Sequence, residues 1–267
     1  MNTTSNPGSF KPYKFKSIRN IASSALQKLK GGEVGAAFNF LIAEFINTLN
    51  KKRLLNKTGK YYCPLCNNHC DSFIHKSNAF RISFNSVCPH CTSRSRHRGL
   101  FFLYTKELEN LGADRRILHF APEPVFYSIF KNKPFTYQTT DYILEDVDFP
   151  KQDVQHLTIS DNRYDLILIN HVLEHVPNDL QGLSELHRIS KPGGKVIISV
   201  PGNFSRKKTV HFKTLKHNGH YRDYGLDFLD KIRQVFADVE LIDLQSFNTN
   251  LNLGIHKKEI AFVAKKR

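Results

Sequence analysis

An apolar run, Arg116-Ile117-Leu118-His119-Phe120, stops at a proline-rich turn, Ala121-Pro122-Glu123-Pro124, and Asp141 follows 21 residues after Phe120 at the end of a second strand-like run. Strand, tight turn, helix and then an acid about 20 residues on is the spacing by which α/β folds hold a ribose. The turn carries none of the glycines of a G-x-G-x-x-G loop. Pro122 and Pro124 offer no N–H, and Glu123 repels negative charge, so the turn is hostile to phosphate. The pattern implies a nucleoside ligand that carries no phosphate groups.

The alternation around this turn predicts an α/β fold. Residues 116–120 read as strand one, 125–130 as a helix, 136–140 as strand two, 154–157 as a short strand three and 164–170 as strand four. A helix over 179–189 ends at Lys191-Pro192-Gly193-Gly194, where Pro and Gly forbid continuation. Residues 195–200, 239–244 and 259–264 read as strands five, six and seven, with a helix over 225–236. The unbroken apolar run Leu166-Ile167-Leu168-Ile169 requires a sheet covered on both faces. The expected architecture is a seven-stranded, Rossmann-like sheet with helices on both faces.

Upstream of it lies a different kind of sequence. The chain of 267 residues has a net charge of +15, and much of that excess sits in its first sixty residues: Lys11, Lys14, Lys16, Arg19, Lys28, Lys30, Lys51, Lys52, Arg53, Lys57 and Lys60 against Glu33 and Glu44. A second basic cluster, Arg206, Lys207, Lys208, Lys213 and Lys216, follows strand five. Such clusters are either a solvated surface or a contact for an anionic partner. A helix is expected over 17–30, stopped by Gly31-Gly32. Phe38, Leu41, Ile42, Phe45, Ile46 and Leu49 then recur at helical spacing, a face suited to packing on the main domain, to a second subunit or to peripheral membrane contact. The apolar window 34–46 is too short to span a bilayer and contains Asn39 and Glu44. With no secretory signal visible in residues 1–20, a cytoplasmic protein is expected.

Four of the five cysteines form two pairs, Cys63-Pro64-Leu65-Cys66 and Cys88-Pro89-His90-Cys91. Each pair offers two thiolates on one turn, and together they make a tetrahedral sulfur shell suited to structural Zn2+. The 21 residues from Asn67 to Val87 stretch slightly beyond the usual ribbon interval of about 15–20. His69 and Cys70 read as bystanders. The expected division is a basic helical extension over 1–60, a zinc ribbon over 61–92 and the α/β domain over 93–267.

With His119-Phe120-Ala121-Pro122-Glu123, the block Asn170-His171-Val172-Leu173-Glu174-His175-Val176-Pro177 and the Lys191–Gly194 turn in hand, the chain resembles a class I S-adenosylmethionine-dependent methyltransferase. It is most similar to the bacterial type-11 group with an N-terminal zinc ribbon. In that group a basic stretch follows the second cysteine pair, here Ser95-Arg96-His97-Arg98, and a Tyr-Gly motif recurs distally, here Tyr221-Arg222-Asp223-Tyr224-Gly225. The resemblance runs from Cys63 to about Leu244 and departs from the wider superfamily in its missing G-x-G. It implies that Phe120, Ala121, Pro122 and Glu123 line the methionine end of S-adenosylmethionine and that Asp141 takes the ribose hydroxyls. Asp153 and Val154 would flank the adenine, with Asn170 and His171 closing the pocket.

The sulfonium is already activated, so a hydroxyl acceptor would need only alignment and a base, a role open to histidine. Candidates are His171, His175, His211, His217 and His220. His220 is the best placed, His175 is as suited to packing as to catalysis, and Arg222 is expected to orient the acceptor. These residues point to O-methylation of a polar or anionic small molecule or saccharide. The alternative is a ribosomal-RNA methyltransferase that grips phosphates with the ribbon and basic N-terminus and stacks bases on Tyr61 and Tyr62. A degenerate binding module is the third reading, and the intact Asp141 argues against it.

Overall fold

The computed structural model describes residues 12–52, 59–78, 80–109, 111, 114–215, 219–248 and 251–267; Lys11, Arg53, Lys57, Lys216 and His217 lie outside them. Two compact units divide the chain: residues up to Phe102 together with Gln245–Glu259, and Leu103–Leu244 together with Ile260–Arg267.

The first unit opens with α1 (Ile18–Lys30) and α2 (Val34–Lys51). Ser17 caps α1 by accepting from the Asn20 N–H, and Gly32, at φ 75°, supplies the left-handed turn between the helices. The face that α2 buries differs from the expected one. Ala36, Ala37, Phe40, Ala43 and Asn47 face inward, whereas Val34, Phe38, Leu41 and Phe45 are exposed. Small side chains allow close approach of neighbouring backbone. Asn47 also acts like a short length of strand: its Oδ1 accepts from the His75 N–H at 2.8 Å and its Nδ2 donates to the His75 carbonyl at 3.0 Å. No helix among the described residues is long and apolar enough to cross a membrane.

Two hairpins follow, β1 (Tyr61–Cys63) with β2 (Asn68–Cys70) and β3 (Ile74–Ser77) with β4 (Ile82–Val87), and then α3 (Ser95–Glu109). The basic stretch after the second cysteine pair has a structural use. Arg98, fully buried, donates to the carbonyls of Ser93, Asn85 and Gly254 at 3.0, 3.2 and 2.9 Å and stacks on Phe73. It thereby ties the second cysteine turn, β4 and the returning 245–259 segment together.

The second unit is a seven-stranded sheet built from β5 (Arg116–Phe120), β6 (Thr136–Asp141), β7 (Phe149–Pro150), β8 (Tyr164–Asn170), β9 (Ser190–Ser199), β12 (Asp238–Asp243) and β13 (Ile260–Lys265). The order is β12-β13-β9-β8-β5-β6-β7, and only β13 runs antiparallel to its neighbours. Helices α4 (Pro124–Phe130), α5 (Asp179–Ile189) and α6 (Phe228–Arg233) belong to this unit. Every residue of β8 is buried, as the two-sided apolar run requires. Order reverses between β5 and β8, so the topological switch point lies where Phe120 and Asn170 end their strands.

The third strand needs correction. Phe149–Pro150 pairs with Thr140 and Asp141, whereas 154–157 is a turn closed by an Asp153–His156 bridge. Val154 and Leu157 are apolar because they pack into the core next to Leu183, not because they extend the sheet.

Between β9 and α6, the ribbon β10 (Val210–His211) with β11 (Arg222–Asp223) folds the insert back on itself. Two glycines permit this. A Cβ on Gly202 would meet the Tyr224 carbonyl at 2.6 Å, and one on Gly225 would meet the Lys208 carbonyl at 2.5 Å and the Thr209 nitrogen at 2.8 Å. The distal Tyr-Gly motif thus marks a backbone-to-backbone crossing. Gly225→Ala is expected to lower stability by about 1–3 kcal/mol, the usual cost of overpacking. Urea denaturation that shows no loss would contradict the crossing.

Candidate functional site

The carboxyl rim at the switch point is held by a polar network. Burial, and next the Glu123 charge, push the Tyr137 hydroxyl above its ordinary value, and it lies 2.7 Å from His119 Nδ1. His119 Nε2 stands 3.1 Å from Glu123 Oε2. The same oxygen accepts from Asn170 Nδ2 at 3.1 Å, while Asn170 Oδ1 accepts from the hydroxyls of Tyr104 and Ser199, each at 2.8 Å. Ala121, at φ 46°, turns the chain out of β5 and donates its N–H to the Thr140 carbonyl. Pro122 follows half-buried and Pro124 opens α4.

Phe120, Ala121, Glu123 and Asn170 are therefore brought together, although the Phe120 side chain packs into the core. His119, Tyr137, Tyr104 and Ser199 were missed. The one available signal was an ionisable residue, His119, inside an apolar strand.

Asp141 ends β6. Its Oδ1 accepts from the N–H groups of Ile143 and Leu144 at 2.6 and 2.8 Å, and Oδ2 has no hydrogen-bond partner among the described residues. Tyr142, Ile143 and Leu144 stand exposed beside it. Asp153 is held by the backbone and side-chain N–H groups of Gln155, and Val154 is 3% exposed within the core.

After β8, His171 adopts φ 52° and donates its N–H to the Ser199 carbonyl. Glu174 is wholly buried, and neither of its carboxylate oxygens makes a hydrogen bond among the described residues. His171 Nδ1 stands 3.2 Å and His175 Nε2 3.9 Å from Glu174 Oε1. The insert brings His220 to the same place: the Tyr221 N–H donates to the Glu174 carbonyl at 2.8 Å, and the His220 ring meets that of His175 edge-on at 4.7 Å. Burial pulls the His220 imidazole below its ordinary value, against the opposing pull of Glu174.

Arg222 has a different place from the expected one. It is 3% exposed, donates to the carbonyls of Leu173, Val176 and Pro177, and pairs with Asp179 at 2.9 Å. Tyr224 and Lys231 donate to the same carboxylate. Its guanidinium is committed to joining the insert to the 173–179 segment.

In the first unit, Cys63, Cys66, Cys88 and Cys91 converge, all buried. Sγ–Sγ distances are 3.6 Å for Cys63–Cys91 and 3.8 Å for Cys66–Cys88. A tetrahedron of sulfurs about 2.3 Å from a zinc ion has edges of about 3.8 Å, so the donor set fits a four-coordinate ion. Crowding splits the thiols: the hydrogen bond with Cys66 leads in drawing Cys63 down, and that with Cys63 leads in pushing Cys66 and Cys88 up. Cys70 lies outside the group, its thiol pushed up to about 12 by burial.

Residues 103–198 match the family model described as a methyltransferase domain. The chain is 35% identical over 102 residues to the ubiquinone/menaquinone biosynthesis C-methyltransferase UbiE of Hydrogenovibrio crunogenus, covering 38% of this chain and 37% of that one. It is 39% identical over 54 residues to a demethylmenaquinone methyltransferase of Staphylococcus epidermidis, covering 20% and 22% respectively. The chain thus spans little more than a third of the length of these curated relatives at most. Among solved structures, the 1,6-didemethyltoxoflavin-N1-methyltransferase of Burkholderia thailandensis, with bound 1,6-didemethyltoxoflavin and S-adenosylhomocysteine, aligns with TM-score 0.47 and 17% identity over 64% of this chain and 78% of that one.

Removing Arg222 should leave Asp179 to Tyr224 and Lys231 and take the donor from the carbonyls of Leu173, Val176 and Pro177, so Arg222→Met is expected to lose about 1–3 kcal/mol of folding stability. An acceptor-orienting surface arginine would change it by no more than about 0.5 kcal/mol. Chemical denaturation separates the two.

Proposed function

We propose that this chain, whose residues 103–198 match a methyltransferase domain, is a class I, S-adenosylmethionine-dependent enzyme that transfers a methyl group to a hydroxyl of a polar small molecule or saccharide. The observation that carries the proposal is the gathering of His171, His175 and His220 around buried Glu174, one residue beyond the Asn170 rim. Imidazoles are the side chains suited to taking a hydroxyl proton near neutral pH, and a hydroxyl is the acceptor that needs one.

S-adenosylmethionine, when bound, supplies a methyl group already activated on sulfur. In this reading, Glu123, fixed by His119 and Asn170, faces the cofactor's amino group. Asp141 Oδ2 accepts from the ribose hydroxyls, and exposed Tyr142, Ile143 and Leu144 offer an apolar wall to the adenine. Asp153 would flank the adenine from the turn after β7, with Val154 packed in the core behind it. The acceptor is held in line with the methyl group, and His220, drawn below its ordinary value by burial, is free to receive the proton as the acceptor oxygen attacks.

A zinc ion on Cys63, Cys66, Cys88 and Cys91 belongs to the same reading as a structural element, because four thiolates leave no open position. An RNA substrate draws less support from these residues: the Tyr61 ring packs against Phe73, and the Tyr62 hydroxyl is bonded to Asn67.

Calorimetry should detect S-adenosylmethionine binding, and Asp141→Ala should weaken it by about 1.5–3 kcal/mol, the value of hydrogen bonds to a charged acceptor. Equal affinity in both proteins would overturn the ribose assignment. With a panel of hydroxylated acceptors, His220→Ala should cut turnover by about 10²–10⁴ with cofactor affinity unchanged. Mass spectrometry that places the methyl group on carbon, on nitrogen or in RNA would replace the hydroxyl reading. For the ribbon, elemental analysis should find a tightly held zinc that Cys88→Ser loses together with melting temperature. A zinc-free wild-type protein of the same melting temperature would refute the site.

A further inference from the structure

Glu174 poses a physical problem that methyl transfer alone does not explain. Its side chain is wholly buried, and both carboxylate oxygens lack a hydrogen bond among the described residues. A buried carboxylate without a hydrogen bond is among the costlier features a fold can carry. What faces it is a set of imidazoles rather than N–H or O–H donors in bonding geometry. One donor atom each from Glu174, His175 and His220 lies within 4.8 Å of the others. His171 Nδ1 approaches Glu174 Oε1 from beside that group, at 3.2 Å.

We propose that Glu174, His175 and His220 form a site for a divalent transition metal, separate from the four-cysteine cluster. Two imidazoles and a carboxylate are the donors that select first-row metals such as Zn2+, Co2+, Ni2+ or Fe2+ over Mg2+ and Ca2+, which prefer all-oxygen shells. Three protein donors leave positions open for an outside ligand, the arrangement of a reactive site and not of a closed structural one. Donor atoms around such an ion stand about 3 Å apart, closer than they are here. The closure falls to His175 and His220, which are partly exposed, while Glu174 is fixed by burial. The backbone is already set for it: the Tyr221 N–H on the Glu174 carbonyl holds His220 beside His175.

For the reaction, the inference rests on the hydroxyl-acceptor reading and deepens it, with His220 becoming a ligand and the proton-accepting role passing from it to His171. An acceptor oxygen on an open metal position gives up its proton more readily. That proton passes to solvent through His171, which stays outside the ligand set. The resulting oxyanion attacks the methyl carbon, and the electron pair of the breaking carbon–sulfur bond remains on sulfur. Acceptors with two adjacent oxygens would be favoured, because both can occupy the open positions.

The test reads metal binding directly and needs no methyl transfer. Full-length protein with its cysteine cluster loaded with Zn2+ is titrated with Ni2+ by calorimetry. One further equivalent should bind, and Glu174→Gln and His220→Ala should each weaken it at least tenfold. His211→Ala, which alters a histidine outside the cluster, should leave it unchanged, and circular dichroism confirms that each variant is folded. Cu2+ bound at the site should show nitrogen hyperfine coupling by electron paramagnetic resonance, reduced in His220→Ala. No additional equivalent in the wild type, or equal affinity in Glu174→Gln, overturns the site. If Ni2+ binds as described but no hydroxyl is methylated, the site stands and the proposed acceptor falls.

Discussion

The buried Arg222–Asp179 pair is the interaction on which the site depends. Asp179 opens α5, where the helix dipole already favours a carboxylate, and it collects Arg222, Tyr224 and Lys231. Arg222 reaches in the other direction to three carbonyls of the 173–177 segment. A guanidinium suits this position because its planar fork serves several acceptors at once, and a lysine would leave some of them without a donor. The insert after β9 would otherwise be a long excursion with few contacts. Pinned at Arg222, and pressed close at Gly202 and Gly225, it delivers His220 to Glu174 as a consequence of the fold.

The clamp also explains why one segment holds both packing and chemistry. Leu173 is buried in the core, the Glu174 carboxylate is buried without a hydrogen bond among the described residues, and His175 is exposed. Three consecutive residues of a single tight turn thus face the interior, the cluster and solvent. The carbonyls of Leu173 and Glu174 are taken by Arg222 and Tyr221. With its backbone held this way, the turn has little freedom to swing Glu174 outward, and the burial of the carboxylate becomes a fixed property of the site.

Much of the α/β core was legible because buried strands in a two-sided sheet must be apolar throughout, and 116–120 and 164–170 are. The place of Asp141 at a strand end was legible from its distance to the turn, and the convergence of the four cysteines from their pairing. What escaped notice did so for identifiable reasons. β7 has two residues, too few for any periodicity, so the apolar Val154 and Leu157 were taken for the strand they follow. On α2, hydrophobicity marked the stripe containing Phe38, Leu41 and Phe45, but alanines fix the buried face because close approach depends on size. Arg222 and Arg98 are charged and yet buried, and only tertiary structure supplies the carbonyls that make this tolerable. The return of 245–259 to the first unit is carried by backbone carbonyls at Leu253 and Gly254, which leave no trace in side-chain pattern.

The proline-rich turn ties these observations to ligand choice. A glycine-rich loop binds phosphate because free N–H groups converge on it. Here Pro122 and Pro124 have no N–H, and that of Ala121 is spent on the Thr140 carbonyl. Glu123 is meanwhile held at the rim by His119 and Asn170, whose other polar atoms are occupied by Tyr137, Tyr104 and Ser199. Glu123 Oε2 accepts from Asn170 Nδ2 and meets His119 Nε2 at 3.1 Å, so the carboxylate is fixed at the rim. A turn with that carboxylate and no free N–H at the prolines repels a pyrophosphate and attracts a cationic amino group. In the proposed reading, the same substitution that removes the familiar glycines suits the turn to a nucleoside ending in an amino acid.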